Sequence, residues 1–89
     1  MKIRVTQEHI LLGERGSVDR CPVALALRDT VKGEGFSDLH CTAGICNLYI
    51  TTRYGYWSWL TPNEVYEFMN YFDGNGTVRP FEFELEDKW

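Results

Sequence analysis

Chemistry in this chain would have to start from Cys21, Cys41, Cys46, His9, His40 and the alternating Glu82, Glu84 and Glu86. If Ala43-Gly44 is a two-residue hairpin turn, Cys41 faces Cys46 across a non-hydrogen-bonded pair on one side of the sheet. Three states are then open to the pair. They can be small buried apolar groups, a cross-strand disulfide in an oxidising compartment, or two ligands of a zinc site completed by Cys21 and a histidine. The zinc pattern is weak: no Cys-x-x-Cys pair occurs, and His9 and His40 have no matching partner spacing. His40 also points opposite to Cys41 if that segment is a strand.

Cys21 precedes Pro22 at an expected helix start, an environment that lowers a thiol pKa. A nucleophile needs a base, and His9, in a short early helix, is the nearest candidate. A capping or packing role for Cys21 is the simpler expectation. Glu82, Glu84 and Glu86 lie on one face of a strand, where a row of carboxylates is solvated rather than set across a cleft as in a glycoside hydrolase. No catalytic set, cofactor motif or nucleic-acid motif emerges, so the chain is read as a non-enzyme without a cofactor.

The elements that must carry these residues centre on the segment from Tyr56 to Leu85. Tyr56-Trp57-Ser58-Trp59-Leu60 reads as a strand. Thr61-Pro62-Asn63-Glu64 reads as a capping box that opens a helix with Pro62 in its first position. Val65, Phe68, Met69 and Phe72 fall on one helical face. Asp73-Gly74-Asn75-Gly76 stops the helix through residues that tolerate the left-handed conformation. Phe81, Phe83 and Leu85 then alternate with Glu82, Glu84 and Glu86 in a half-buried strand.

Earlier in the chain, Lys2–Thr6 alternates as a first strand with Ile3 and Val5 inward. Thr6 can cap a short helical turn, Gln7 to Leu12, which Gly13 ends. Cys21 to Val31 reads as a buried helix with Val23, Leu27 and Val31 on one ridge. Lys32 to Asp38 is a Gly-rich loop. Leu39, Cys41 and Ala43, then Cys46, Leu48 and Ile50, alternate with polar residues as a hairpin, and Arg53-Tyr54-Gly55 makes a second turn. The expected architecture is one small α+β domain over residues 1–89. Its order is strand, helix, three antiparallel strands, helix, strand, with the helices packed on one sheet face.

The aromatic hairpin is the strongest binding feature. Tyr54, Tyr56 and Ser58 alternate with Trp57 and Trp59, so one face can be core while the other still shows large rings. Tyr and Trp dominate binding hot spots. The alternative is that the second face packs under a loop or Trp89.

Charge constrains the partner. The net charge is −4, against general phosphate binding. Residues 1–32 carry +2 and residues 33–89 carry −6. The acidic part suggests a docking surface for a basic partner. Met1-Lys2-Ile3-Arg4 has no apolar signal region, no apolar run reaches membrane length, and three cysteines form no complete disulfide framework, so the expected setting is the cytoplasm.

Thr6-Gln7-Glu8-His9-Ile10, Cys21-Pro22-Val23-Ala24-Leu25-Ala26, Phe72-Asp73-Gly74 and Pro80-Phe81-Glu82-Phe83-Glu84-Leu85 together resemble a group of small uncharacterised proteins of bacteriophage and bacterial genomes. The resemblance covers both ends of the chain and matches poorly from Lys32 to Tyr54. It implies an α+β domain of phage or mobile-element origin and transfers no functional residue.

The sequence therefore points to a protein-interaction module. It would be a phage accessory protein that inhibits a host defence machine by occluding its surface, bound through Tyr54, Tyr56, Trp57 and Trp59 with Glu82, Glu84 and Glu86 as rim. The partner is a host protein or complex, not nucleic acid or membrane, with a homodimer as a further state. Two alternatives belong to other classes: a dimeric small-molecule or nucleotide binder, and a zinc-stabilised structural module.

Overall fold

The computed structural model describes residues 1–33, 35 and 38–88. The elements are β1 (Lys2–Val5), α1 (Gln7–Leu12), α2 (Pro22–Gly33), β2 (His40–Ala43), β3 (Asn47–Thr52), β4 (Gly55–Leu60), α3 (Asn63–Asp73) and β5 (Phe81–Glu84). The α+β class and the expected element order hold. The strands divide between two antiparallel sheets, β1–β5 and β2–β3–β4. Parts of the expected Gly-rich loop, at Glu34, Phe36 and Ser37, and the expected packing of Trp89 lie outside the described residues.

Helix α1 begins where a hydroxyl can serve it. Thr6 accepts the His9 amide, and the His9 ring at the third helical position accepts the Thr6 amide, a reciprocal cap that satisfies two otherwise unpaired donors. At the end of α1, a Cβ on Gly13 would stand 2.6 Å from the Pro22 ring, so the turn into α2 needs a residue without one. Helix α2 buries Val23, Leu27 and Val31 completely, as their 3.6-residue spacing predicts. It packs against β1 in one sheet and β2 in the other, and so joins the two sheets.

Helix α3 buries Val65, Phe68, Met69 and Phe72, the expected face. Phe68 meets Phe81 of β5 with ring centroids 4.7 Å apart. The expected Thr61–Glu64 capping box does not form. Pro62 is the cap residue and provides no side-chain bond, while the Thr61 hydroxyl donates instead to the Gly44 carbonyl at 2.7 Å. A long-range bond that fastens the β2–β3 turn has taken the hydroxyl from its own helix. The stop after α3 works as expected, with Asn75 as the left-handed residue at φ 65°.

Both edges of the three-stranded sheet are touched by other chain segments. The Ala43 amide of β2 donates to the Val18 carbonyl at 2.7 Å. At β4, Lys88 Nζ donates to the Ser58 carbonyl at 2.6 Å, and Trp59 Nε1 donates to the Glu86 carbonyl at 2.7 Å. The same tail is held to β1's sheet, because Met1 and Leu85 exchange backbone bonds of 2.7 and 2.8 Å. The Met1 ammonium also pairs with Asp87 at 2.8 Å.

Candidate functional site

The β2–β3–β4 sheet has one face in the core and one in water. Cys41, Ala43, Leu48, Ile50, Thr52 and Trp59 are buried on the inner face. Strand alternation then puts Tyr49, Thr51, Tyr56, Ser58 and Leu60 on the outer face. The register pairs Tyr49 with Ser58 and Thr51 with Tyr56, which makes the two tyrosines diagonal neighbours. Their rings stack with centroids 6.3 Å apart. Tyr54, at the tip, is 77% exposed, Tyr56 65% and Leu60 81%. The tip itself is set by buried Thr52, whose hydroxyl accepts the Tyr54 amide and donates to the Gly55 carbonyl. Gly55 takes φ +146°, which a side chain rarely adopts.

The structure separates the expected site residues into three groups. Tyr54 and Tyr56 are at the surface. Trp57 is half-buried and packs against the core, and Trp59 is buried, with its ring nitrogen bonded to the tail. Trp59 is therefore a core residue rather than a docking residue. Glu82, Glu84 and Glu86 are all exposed, but on the other sheet or just beyond it. Glu82 lies within 3.7 Å of Lys2 and 3.4 Å of Arg4, and Glu84 within 3.9 Å of the Met1 ammonium. Lys2, Arg4 and the Met1 ammonium thus lie against Glu82 and Glu84. Tyr49 and Leu60 are surface residues that the sequence reading did not select. The available signal was parity, since Tyr49 stands between the inward Leu48 and Ile50.

The cysteines do not assemble. The two-residue tip of the first hairpin is Ile45-Cys46, closed by the Gly44 amide donating to the Asn47 carbonyl at 2.9 Å. Cys41 consequently pairs with Ile50, and Cys46 sits exposed at the tip, so no Cys41–Cys46 bridge forms. Among the described residues no group of three or more His, Cys, Asp and Glu side chains could hold a metal ion. The expected lowering of the Cys21 thiol is also overturned. Burial pushes it up, against the weaker opposing pull of the Ala24 and Val23 amides. Burial likewise raises Cys41, to about 11.

His9 is committed elsewhere. Its Nδ1 accepts the Thr6 amide at 3.0 Å, so Nε2 carries the proton and donates to Asp29 at 2.6 Å. Hydroxyl, imidazole and carboxylate in this order, Thr6, His9, Asp29, match the chain that activates a nucleophile. Here the backbone amide occupies the lone pair that would take the hydroxyl proton. The constellation is a helix cap tied to α2.

No protein-family model matches this chain, and neither a curated protein nor a solved structure matches it. No helix among the described residues is long and apolar enough to cross a membrane.

Proposed function

We propose that this protein is a non-enzymatic protein-binding module that docks a partner on the outer face of β2–β3–β4. The observation that carries the reading is the stacked Tyr49–Tyr56 pair with Tyr54 and Leu60 exposed around it. Tyrosines give large contact area for little side-chain entropy, and two paired strands hold these ones in place. The net charge of −4 favours a basic partner over an acidic one. Joined to the resemblance to phage proteins, the reading becomes an accessory protein that acts in the host cytoplasm by covering the working surface of a host defence complex.

The test is capture from nuclease-treated host lysate with wild type and a Tyr49→Ser/Tyr56→Ser variant, followed by reconstitution with the purified captured protein. A stoichiometric complex that the tyrosine variant loses at unchanged melting temperature is the expected result. Glu82→Lys with Glu84→Lys should weaken binding only modestly, because those carboxylates already face basic residues. Binding that survives loss of both tyrosines would overturn the assignment of this face.

A further inference from the structure

A pocket of about 160 Å³ lies at the end of β3 away from Tyr54, between the segment after α1, the first hairpin turn and α3. Cys21, Ala43 and Met69 form its buried wall, and Val18, Ile45 and Tyr66, all exposed, stand around it. The walls are tied to the rest of the fold. The Ala43 amide donates to the Val18 carbonyl at 2.7 Å, the Gly16 amide donates to Asp73 at 3.0 Å, and the Thr61 hydroxyl holds the Gly44 carbonyl at 2.7 Å. Walls fixed in this way are in place before a ligand arrives, which lowers the ordering cost of binding.

Size and lining define the class of ligand. An apolar cavity of about 150 Å³ accommodates one benzene molecule, so the body of an occupant here is a single ring or a short branched chain. One charge faces this apolar space. Asp73 closes α3 and lines the pocket, with one carboxylate oxygen on the Gly16 amide. Among the described residues no cation stands within ion-pair distance of it, and Arg15 lies instead over the Phe72 ring, 4.9 Å from the centroid. The last turn of α3 holds no basic residue, so the negative end of the helix dipole stands uncompensated beside Asp73. Burial, with the Asp73 charge adding to it, holds the Cys21 thiol above its ordinary range, as expected of a carboxylate and a thiol that share one pocket.

We propose that this pocket binds a small primary amine with a compact apolar body. The body sits against Cys21, Ala43 and Met69, and the ammonium meets the Asp73 oxygen that Gly16 leaves open. The site is independent of the docking face and does not rest on it.

The test follows the ¹³C-labelled methionine methyls of the full chain by NMR. The chain has two methionines, so Met1, on the other sheet, serves as the internal control for Met69. Benzylamine, benzyl alcohol and benzoate are titrated separately at pH 7 and constant ionic strength. They share a ring and differ in the charge of the head. A saturating shift confined to Met69 with millimolar benzylamine is expected, together with a nuclear Overhauser effect between the ring protons and that methyl. Benzyl alcohol should bind roughly two- to fivefold more weakly, the range of one exposed ion pair, and benzoate more weakly still. Asp73→Asn keeps the acceptor for the Gly16 amide and removes the charge, so it should bring benzylamine to the affinity of benzyl alcohol. A linear response at Met69, or one shared equally by Met1, would overturn the site. Benzoate binding as tightly as benzylamine, or unchanged benzylamine affinity in Asp73→Asn, would overturn the choice of an amine.

Discussion

The three thiols show how a single residue's position decides its chemistry. Cys46 is exposed at a hairpin tip, while Cys21 and Cys41 are buried and burial raises both. Iodoacetamide at pH 8 should therefore modify one cysteine quickly. Cys41 should lag far behind, because its raised pKa leaves little thiolate at that pH and burial limits access. Equal labelling of all three, read by mass spectrometry on the native protein, would contradict this. The same shift has a consequence for stability. A thiol held neutral by folding, with its value raised from 9.0 to about 11, contributes stability fully present below pH about 9 and lost as pH rises through about 11. Cys41→Ala should accordingly show a shallower fall in stability over that interval than the wild type in urea titrations. Parity made the inward side of Cys41 legible from sequence. Its partner was not legible, because the turn closes around Ile45-Cys46 and moves the hairpin centre by two residues. An even displacement keeps the strand residues Cys41, Leu48 and Ile50 on the inward face while the cross-strand pairing changes, and it moves Cys46 out of the strand to the exposed tip.

At the scale of the element, two threonines with similar local sequence do opposite things. Thr6 caps its helix, and Thr61 leaves its helix uncapped to bind Gly44. Thr6→Ala should cost about 1 kcal/mol, the usual effect of losing a helix cap. Glu64→Ala, which would remove the reciprocal acceptor of a capping box at Thr61, should change stability by less than about 0.5 kcal/mol, as for an ordinary surface site. Thermal unfolding of the two variants decides between the local motif and the observed bond. Sequence patterns predicted the helices well because α2 and α3 each bury a continuous stripe. They could not show that Lys2 and Arg4 lie opposite Glu84 and Glu82, since that pairing joins residues about eighty positions apart. The same holds for the aromatic strand. Alternation separates tyrosines from tryptophans, and only packing reveals that the tryptophan side goes inward.

For the whole molecule, the open face and the covered edges set what a partner can do. With Val18 at β2 and Lys88 at β4, an incoming strand finds both edges contacted, and the tyrosine face remains the accessible route. The tail that guards β4 has a second effect. Residues 85–88 are bonded at once to Met1, beside β1, and to Ser58 and Trp59 in β4, while α2 packs against both sheets. The two sheets therefore have no independent hinge between them and should open as one cooperative unit. Amide hydrogen exchange at Ile3 and Phe83 in one sheet and at Leu48 and Ile50 in the other should report the same opening free energy and the same denaturant dependence. Two distinct values would show that the tail does not couple them. If the proposed docking on the tyrosine face holds, coupling of this kind would present that face as a plate, and recognition would rest on its shape rather than on adjustment at contact.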